Sequence, residues 1–274
     1  MAIPNWTGAI DGDWEKVGNW STGVLPVDGD SVHVLPTATN DMTTNLDRTG
    51  DTAGAGLDLA LFDAHEDSTV NIGTSGSPLK LAADKLIHRG RGLLYFESDD
   101  GTGGLTTDRV IIDSDIGAVI TQAGAAITAL ECLRGRTDVT VSAAMGRLFV
   151  VRGLRGPAPT VNIDGTAVIT IFAHSAGTVN YSSSGATLVL SLSGGVFSYT
   201  SPGADITQVY QTGGTLELRG PGSIGDVYWL HGGTLDTTLT SGLKTIAKLY
   251  VSPTANEVSS DETLTATVRV DIGE

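Results

Sequence analysis

"TGGTLELRG" runs from Thr212 to Gly220, and "HGGTLDTTL" from His231 to Leu239, so the phrase Gly213-Gly214-Thr215-Leu216 returns as Gly232-Gly233-Thr234-Leu235. The phrase belongs to a longer series. "AGTVNYS" begins near Gly177 and "GGVFSYT" near Gly195, and the steps through Gly214 to Gly233 are 18, 19 and 19. Pro159 of "PTVNID" holds the equivalent place one step before Gly177. Further upstream, phrases near Val139, Gly117, Gly92 and Ser68 continue the series with steps widened to about 20–25, as inserted loops would do. A second apolar run precedes each phrase, such as Leu148–Val151, Val168–Ile171, Leu188–Leu190 and Val227–Trp229. The unit is strand, short Gly turn, strand, looser connection.

Periods of about 20 residues mark a solenoid. The i, i+4 apolar spacing of helical repeats is absent, and so is the leucine-rich-repeat phrase. The pattern predicts an all-β fold, a single-stranded parallel β-helix whose coils stack about 4.8 Å apart. Gly recurs because each coil turns the same corner, where φ > 0 costs other residues more. About nine or ten coils are expected, from near Leu57 to near Pro253. An irregular β-sandwich is the alternative. It explains Gly-rich turns but not turns in near-constant register.

Both solenoid ends need covering, because an open sheet edge is sticky. Residues 1–56 are read as a cap and a polar loop or arm, 57–253 as the β-helix, and 254–274 as a C-terminal strand tail. Trp6, Trp14 and Trp20 suit an aromatic lid, with a carbohydrate platform or partner contact as the other readings. The segment 36–56, rich in Thr, Gly and Asp, is read as a long loop. In the tail, Leu264, Ala266, Val268, Val270 and Ile272 alternate with polar residues and predict a half-buried strand.

Gly18-Asn19-Trp20-Ser21, Gly23, Pro26, Gly29-Asp30 and Val32-His33-Val34 resemble the NWS-x-G-x-x-P-x-x-GD-x-V-x-I start of β-helical surface proteins. Those include autotransporter-like passengers and β-helical proteins of tailed phages. The resemblance spans about 30 of 274 residues. It implies a virion or cell-surface structural protein, and a homotrimer. "MAIPNWTGAI" has neither a basic segment nor an apolar run, so no secretory signal is visible. That moves the expectation toward a virion component assembled in a host cytoplasm: a capsid decoration, cement or spike protein docked on a major capsid or other virion protein. An exported adhesin is the second reading.

A net charge of −15 argues against nucleic-acid partners. No run approaches the length of a membrane span. The single cysteine, Cys132, reads as a buried inert thiol. Basic residues cluster between Lys80 and Arg155, where ten Lys or Arg face nine Asp or Glu. Arg89, Arg91, Arg134, Arg136, Arg152 and Arg155 recur near one coil position, with Asp113 and Asp115 in the coil between. They read either as a salt-bridge ladder or as a docking stripe for an acidic partner surface, which the planar guanidinium suits. A polysaccharide-active lyase or hydrolase is the minority reading, the lyase built on Asp113, Asp115 and Arg134, since the strands carry few exposed aromatics. The acidic groups Asp11-Asp13-Glu15 and Glu97-Asp99-Asp100 lack an ordered calcium-loop spacing. The five histidines stand coils apart. Neither metal nor cofactor is expected.

Overall fold

The structure is a computed structural model that describes residues 3–48, 57–98, 106–123, 127–201, 205–220, 224–238, 244–258 and 264–272. It is a parallel β-solenoid. The only helix among these residues is one 3-10 turn, Val17–Asn19. Each coil lays down one strand of a first sheet, turns a corner, and lays down one strand of a second. Nine such coils run from Lys85–His88 to Ala255–Val258. In two of them a single strand, Thr107–Gln122 or Ile127–Val141, passes through the corner and serves both sheets.

Register follows the sequence period. In the first sheet Phe172 stacks on Leu190, Leu190 on Val209 and Val209 on Tyr228, which repeats the 18, 19, 19 stepping of the corner phrases. The longer coils, such as Leu148 to Phe172, carry their extra residues in loops. Inside, each stack is an apolar column: Val179, Phe197, Leu216 and Leu235 lie one above the other, all with no exposed surface.

The corner glycines hold the turn. Gly214 and Gly233 have φ of +72° and +82°. A Cβ on Gly233 would also lie 2.4 Å from the carbonyl oxygen of Gly214 in the coil beneath. The residue entering the corner from the first sheet points inward, and this position forms a column through His88, Ile112, Cys132, Val150, His174, Leu192 and Gln211. Its polar members hold turn carbonyls. His88 Nε2 lies 2.9 Å from Gly92 O, and His174 Nε2 lies 2.9 Å from Ala176 O. Gln211 Nε2 donates to Gly214 O and Thr234 O, both at 3.0 Å. Cys132 is fully buried, and burial pushes its thiol up to about 12.

The N-terminal segment is itself part of the stack. Asn5–Trp6 pairs with Ser31–Val34, which pairs with Leu61–Ala64. The described part of the segment read as a loop, 36–48, forms a further wall rather than an arm. Met42 bridges to Ile72 and Asp47 to Lys80, while Met42 and Leu46 are buried. Residues 49–56 lie outside the described residues.

At the other end, the tail is the last rung. Leu264–Asp271 pairs along Lys244–Val251. Its phase differs from the alternation expected from sequence. First-sheet strands run in, out, out, in, as with Ile169, Thr170, Ile171 and Phe172. The last strand inherits that spacing from the rung beneath. Arg269 and Asp271 therefore stand over the buried Leu249 and Val251, while Val268 and Val270 face solvent. Arg269 pairs with Glu257, 2.8 Å away, which stands over buried Leu235. Inward-pointing charge of this kind blunts an open edge.

Two expectations follow. Gly233→Ala is expected to cost about 1–3 kcal/mol through backbone strain and carbonyl crowding, read as a lowered melting temperature. His88 and His174 are pushed by burial to about 4 from the ordinary 6.5. The unfolded chain takes up those protons first, so stability falls as pH drops from 6.5 toward 4, by of the order of 3 kcal/mol per ring. Urea titrations across that window check this. A His88→Gln variant is expected to show a shallower acid slope than the parent protein.

Candidate functional site: the arginine corner and the outer faces

The tryptophans form a closed lid. Trp6 and Trp20 meet edge to face at 5.2 Å, and Trp14 and Trp20 at 4.7 Å. All three are buried, so neither a glycan nor a partner has access to the rings. Several motif residues have a defined place here. Asn19 is a buried hub: its Oδ1 accepts from Ile10 N at 2.8 Å, and its Nδ2 donates to Asp11 Oδ1 and Asp13 O, both at 2.9 Å. Ser21 Oγ accepts from Asn5 N at 3.0 Å, and Asp30 Oδ2 closes the following turn on Val27 N at 3.1 Å. The Lys16 ammonium beside Asp11, with Asn19, holds the Asp11 carboxyl down at about 2. The motif thus builds the lid and the first strands.

Of the six arginines, four converge. Arg89, Arg91, Arg134 and Arg155 line one cleft at the corner between the sheets, of about 190 Å³, with Glu66, Asp67 and Asp115. Stacked coils place them there, and the acids come from neighbouring coils. Arg89 pairs with Asp63, and Arg91 with Asp67 at 3.3 Å. Arg134 is the most enclosed: its Nε lies 2.8 Å from Asp113 Oδ1 and its Nη1 lies 3.1 Å from Asp115 Oδ1. The acids considered for a lyase therefore fix this guanidinium in place. Arg136 stands apart, on the second sheet, paired with Asp138 at 3.1 Å. Arg152 is exposed in the 151–159 loop and does not line the cleft.

That loop breaks the repeat. The corners after His174, Leu192 and Gln211 are three residues long, whereas nine residues, 151–159, lie between Val150 and Thr160. Leu154 at its tip is fully exposed. Gly156, at φ +80°, bends the loop back over Arg134, and Arg155 reaches Glu66 at 3.7 Å. The corner is therefore an apolar peg set beside a charged cleft.

A second surface went unseen in the sequence. The outward column of the first sheet runs through Ile87, Ile111, Glu131, Phe149, Ala173, Ser191, Tyr210, Trp229, Tyr250 and Val270. Trp229 and Tyr250 stack with centroids 4.0 Å apart and planes at 7°. The corresponding column of the second sheet is polar: Asp138, Asn162, Asn180, Ser198, Glu217 and Asp236. There Asn162 donates to Asp138 at 2.5 Å and Asn180 to Asn162 at 2.8 Å.

Among the described residues no group of three or more His, Cys, Asp or Glu is placed to hold a metal ion. Glu97 pairs with Lys80 at 2.9 Å, while Asp99 and Asp100 lie outside the described residues. Compared with known proteins, the chain matches no family model, no curated protein and no solved structure.

The arginines are expected to separate by burial. Arg134→Ala leaves Asp113 and Asp115 without their cation at a packed corner and should cost about 1–3 kcal/mol. Arg91→Ala removes an exposed pair and should cost less than about 0.5 kcal/mol. Urea unfolding of the two variants measures both.

Proposed function

We propose that this protein is a non-enzymatic structural component of a tailed-phage virion, a decoration, cement or spike element that docks on a symmetric protein shell. The contact is the corner at 151–159. The observation that carries this reading is the nine-residue loop where the corners after His174, Leu192 and Gln211 have three residues, with Leu154 fully exposed beside Arg155 and the arginine cleft. An exposed apolar tip flanked by arginines has the composition of an interface anchor, since arginine is enriched at hot spots and a buried apolar peg supplies area. Arg91 and Arg155 hold their acids at 3.3 and 3.7 Å and are largely exposed, so partner carboxylates can compete for them. The virion setting is supported by the N-terminal resemblance. The mechanism is mechanical: a stiff stack adds buried area at each repeat of the shell.

Particles purified from the source and analysed by mass spectrometry and electron microscopy test this. The chain is expected at fixed stoichiometry to the major shell protein. In reconstitution, Leu154→Asp is expected to weaken shell binding at least tenfold, and Arg155→Ala to flatten its salt dependence. Recovery of the chain on cell surfaces or free in the medium, with none on particles, would overturn the reading.

A further inference from the structure

We propose that the outer surface of the first sheet is where copies of this chain pack side by side. Sheet faces turned to water normally alternate polar residues outward. The second sheet does so, with its Asp138-Asn162-Asn180 ladder. The first sheet departs from this over its upper rungs. Tyr210, Trp229 and Tyr250 stand in one outward column, and Ile171, Val189 and Val268 in the column beside it, which also carries Gln208 and Lys248. Tyr210, Val268 and Val270 are each more than 40% exposed.

Three observations select the occupant. The first is charge. The chain has 31 Asp and Glu. Along the strands from Ile169–His174 to Lys244–Val251, the outward described side chains include a single acid, Asp226, and it pairs with Lys248. Two copies of a chain of net charge −15 repel over most of their surfaces, and this neutral strip is where they can approach. The second is ring geometry. Trp229 and Tyr250 cover each other's faces, and Trp229 lies parallel to His231 at 6°. Ring edges, not faces, meet solvent, which suits packing against apolar side chains better than stacking on a sugar. The third is repeat. The six rungs from Ile169–His174 to Leu264–Asp271 repeat at the strand spacing and make a strip about 25 Å long. Only a surface with the same axial repeat stays in step over that length, and a second solenoid has it.

The test uses the isolated full chain. It is independent of shell docking, which the loop-tip variants probe and these do not. In sedimentation velocity at micromolar concentration, the parent protein is expected at a multiple of the single-chain mass. Val189→Glu with Tyr210→Glu, both outward, is expected to sediment as a single chain with its melting transition retained. Gln208→Cys supplies a second readout. Gln208 lies near mid-strip, and the native Cys132 is buried. A short bis-maleimide is expected to join copies of this variant in either a parallel or an antiparallel arrangement. A parent protein that sediments as a single chain would overturn the proposal, whether the strip then serves another protein or none. So would a multimer that survives both glutamates, or one that the bis-maleimide fails to join.

Discussion

Backbone hydrogen bonding along the axis is the constraint from which the rest follows. Strands bond to strands one coil away, so that, apart from local register shifts, each strand residue sits over its counterpart in the previous coil. The unit of packing is therefore the column. An interior column tolerates a change of residue only if the neighbours above and below accommodate it. The corner column shows the range of solutions. Most members are aliphatic, while His88, His174 and Gln211 instead hold turn carbonyls. A buried polar group without such a partner would cost about 1–3 kcal/mol. The same constraint explains why both ends need special treatment: stacking leaves an unbonded edge at each. A tryptophan lid covers one, and the Glu257-Arg269-Asp271 charges cover the other.

The two surfaces proposed for interaction arise from columns in two opposite ways. The corner site exists because a column is interrupted, when 151–159 leaves the regular path and carries Leu154 away from the wall. The side strip exists because a column is uninterrupted, so that rings from Tyr210, Trp229 and Tyr250 accumulate into one surface. A point feature suits a single anchor, and a line suits another line.

The corners were legible in the sequence because glycine recurs there in four successive coils. Gly177, Gly195, Gly214 and Gly233 sit in near-constant register, and all have positive φ. The lid was legible because Asn19, Trp20, Ser21 and Asp30 each carry a distinct hydrogen-bonding task. Which residues face out was not. Several first-sheet strands place two consecutive residues outward after the first inward one, as Thr170 and Ile171 show, and this shift breaks simple alternation. That is why Val268 and Val270 read as inward in sequence yet point to water. The aromatic column was hidden for the same reason: its rings stand a full coil apart along the chain, and only the register joins them. The arginine grouping was half legible. Arg89, Arg91, Arg134 and Arg155 do converge, but Arg136 falls on the second sheet and Arg152 stays on the loop, because neither turn length nor side-chain direction is written in spacing alone.

The tryptophan lid also bears on how the molecule is made. Its rings come from residues 6–20, so they leave the ribosome before the strand Ser31–Val34 and the coils that follow it. Synthesis at about 5–20 residues per second delivers one coil every few seconds at the slowest rates, far longer than closing a loop of that size. Each new strand therefore meets a finished edge of the right register as it emerges, and assembly can proceed vectorially, coil upon coil. A lid that forms early is a template as well as a cover. A chain with a defective lid would lose the surface on which its later coils are laid down, and would present unpaired strands to its neighbours during translation.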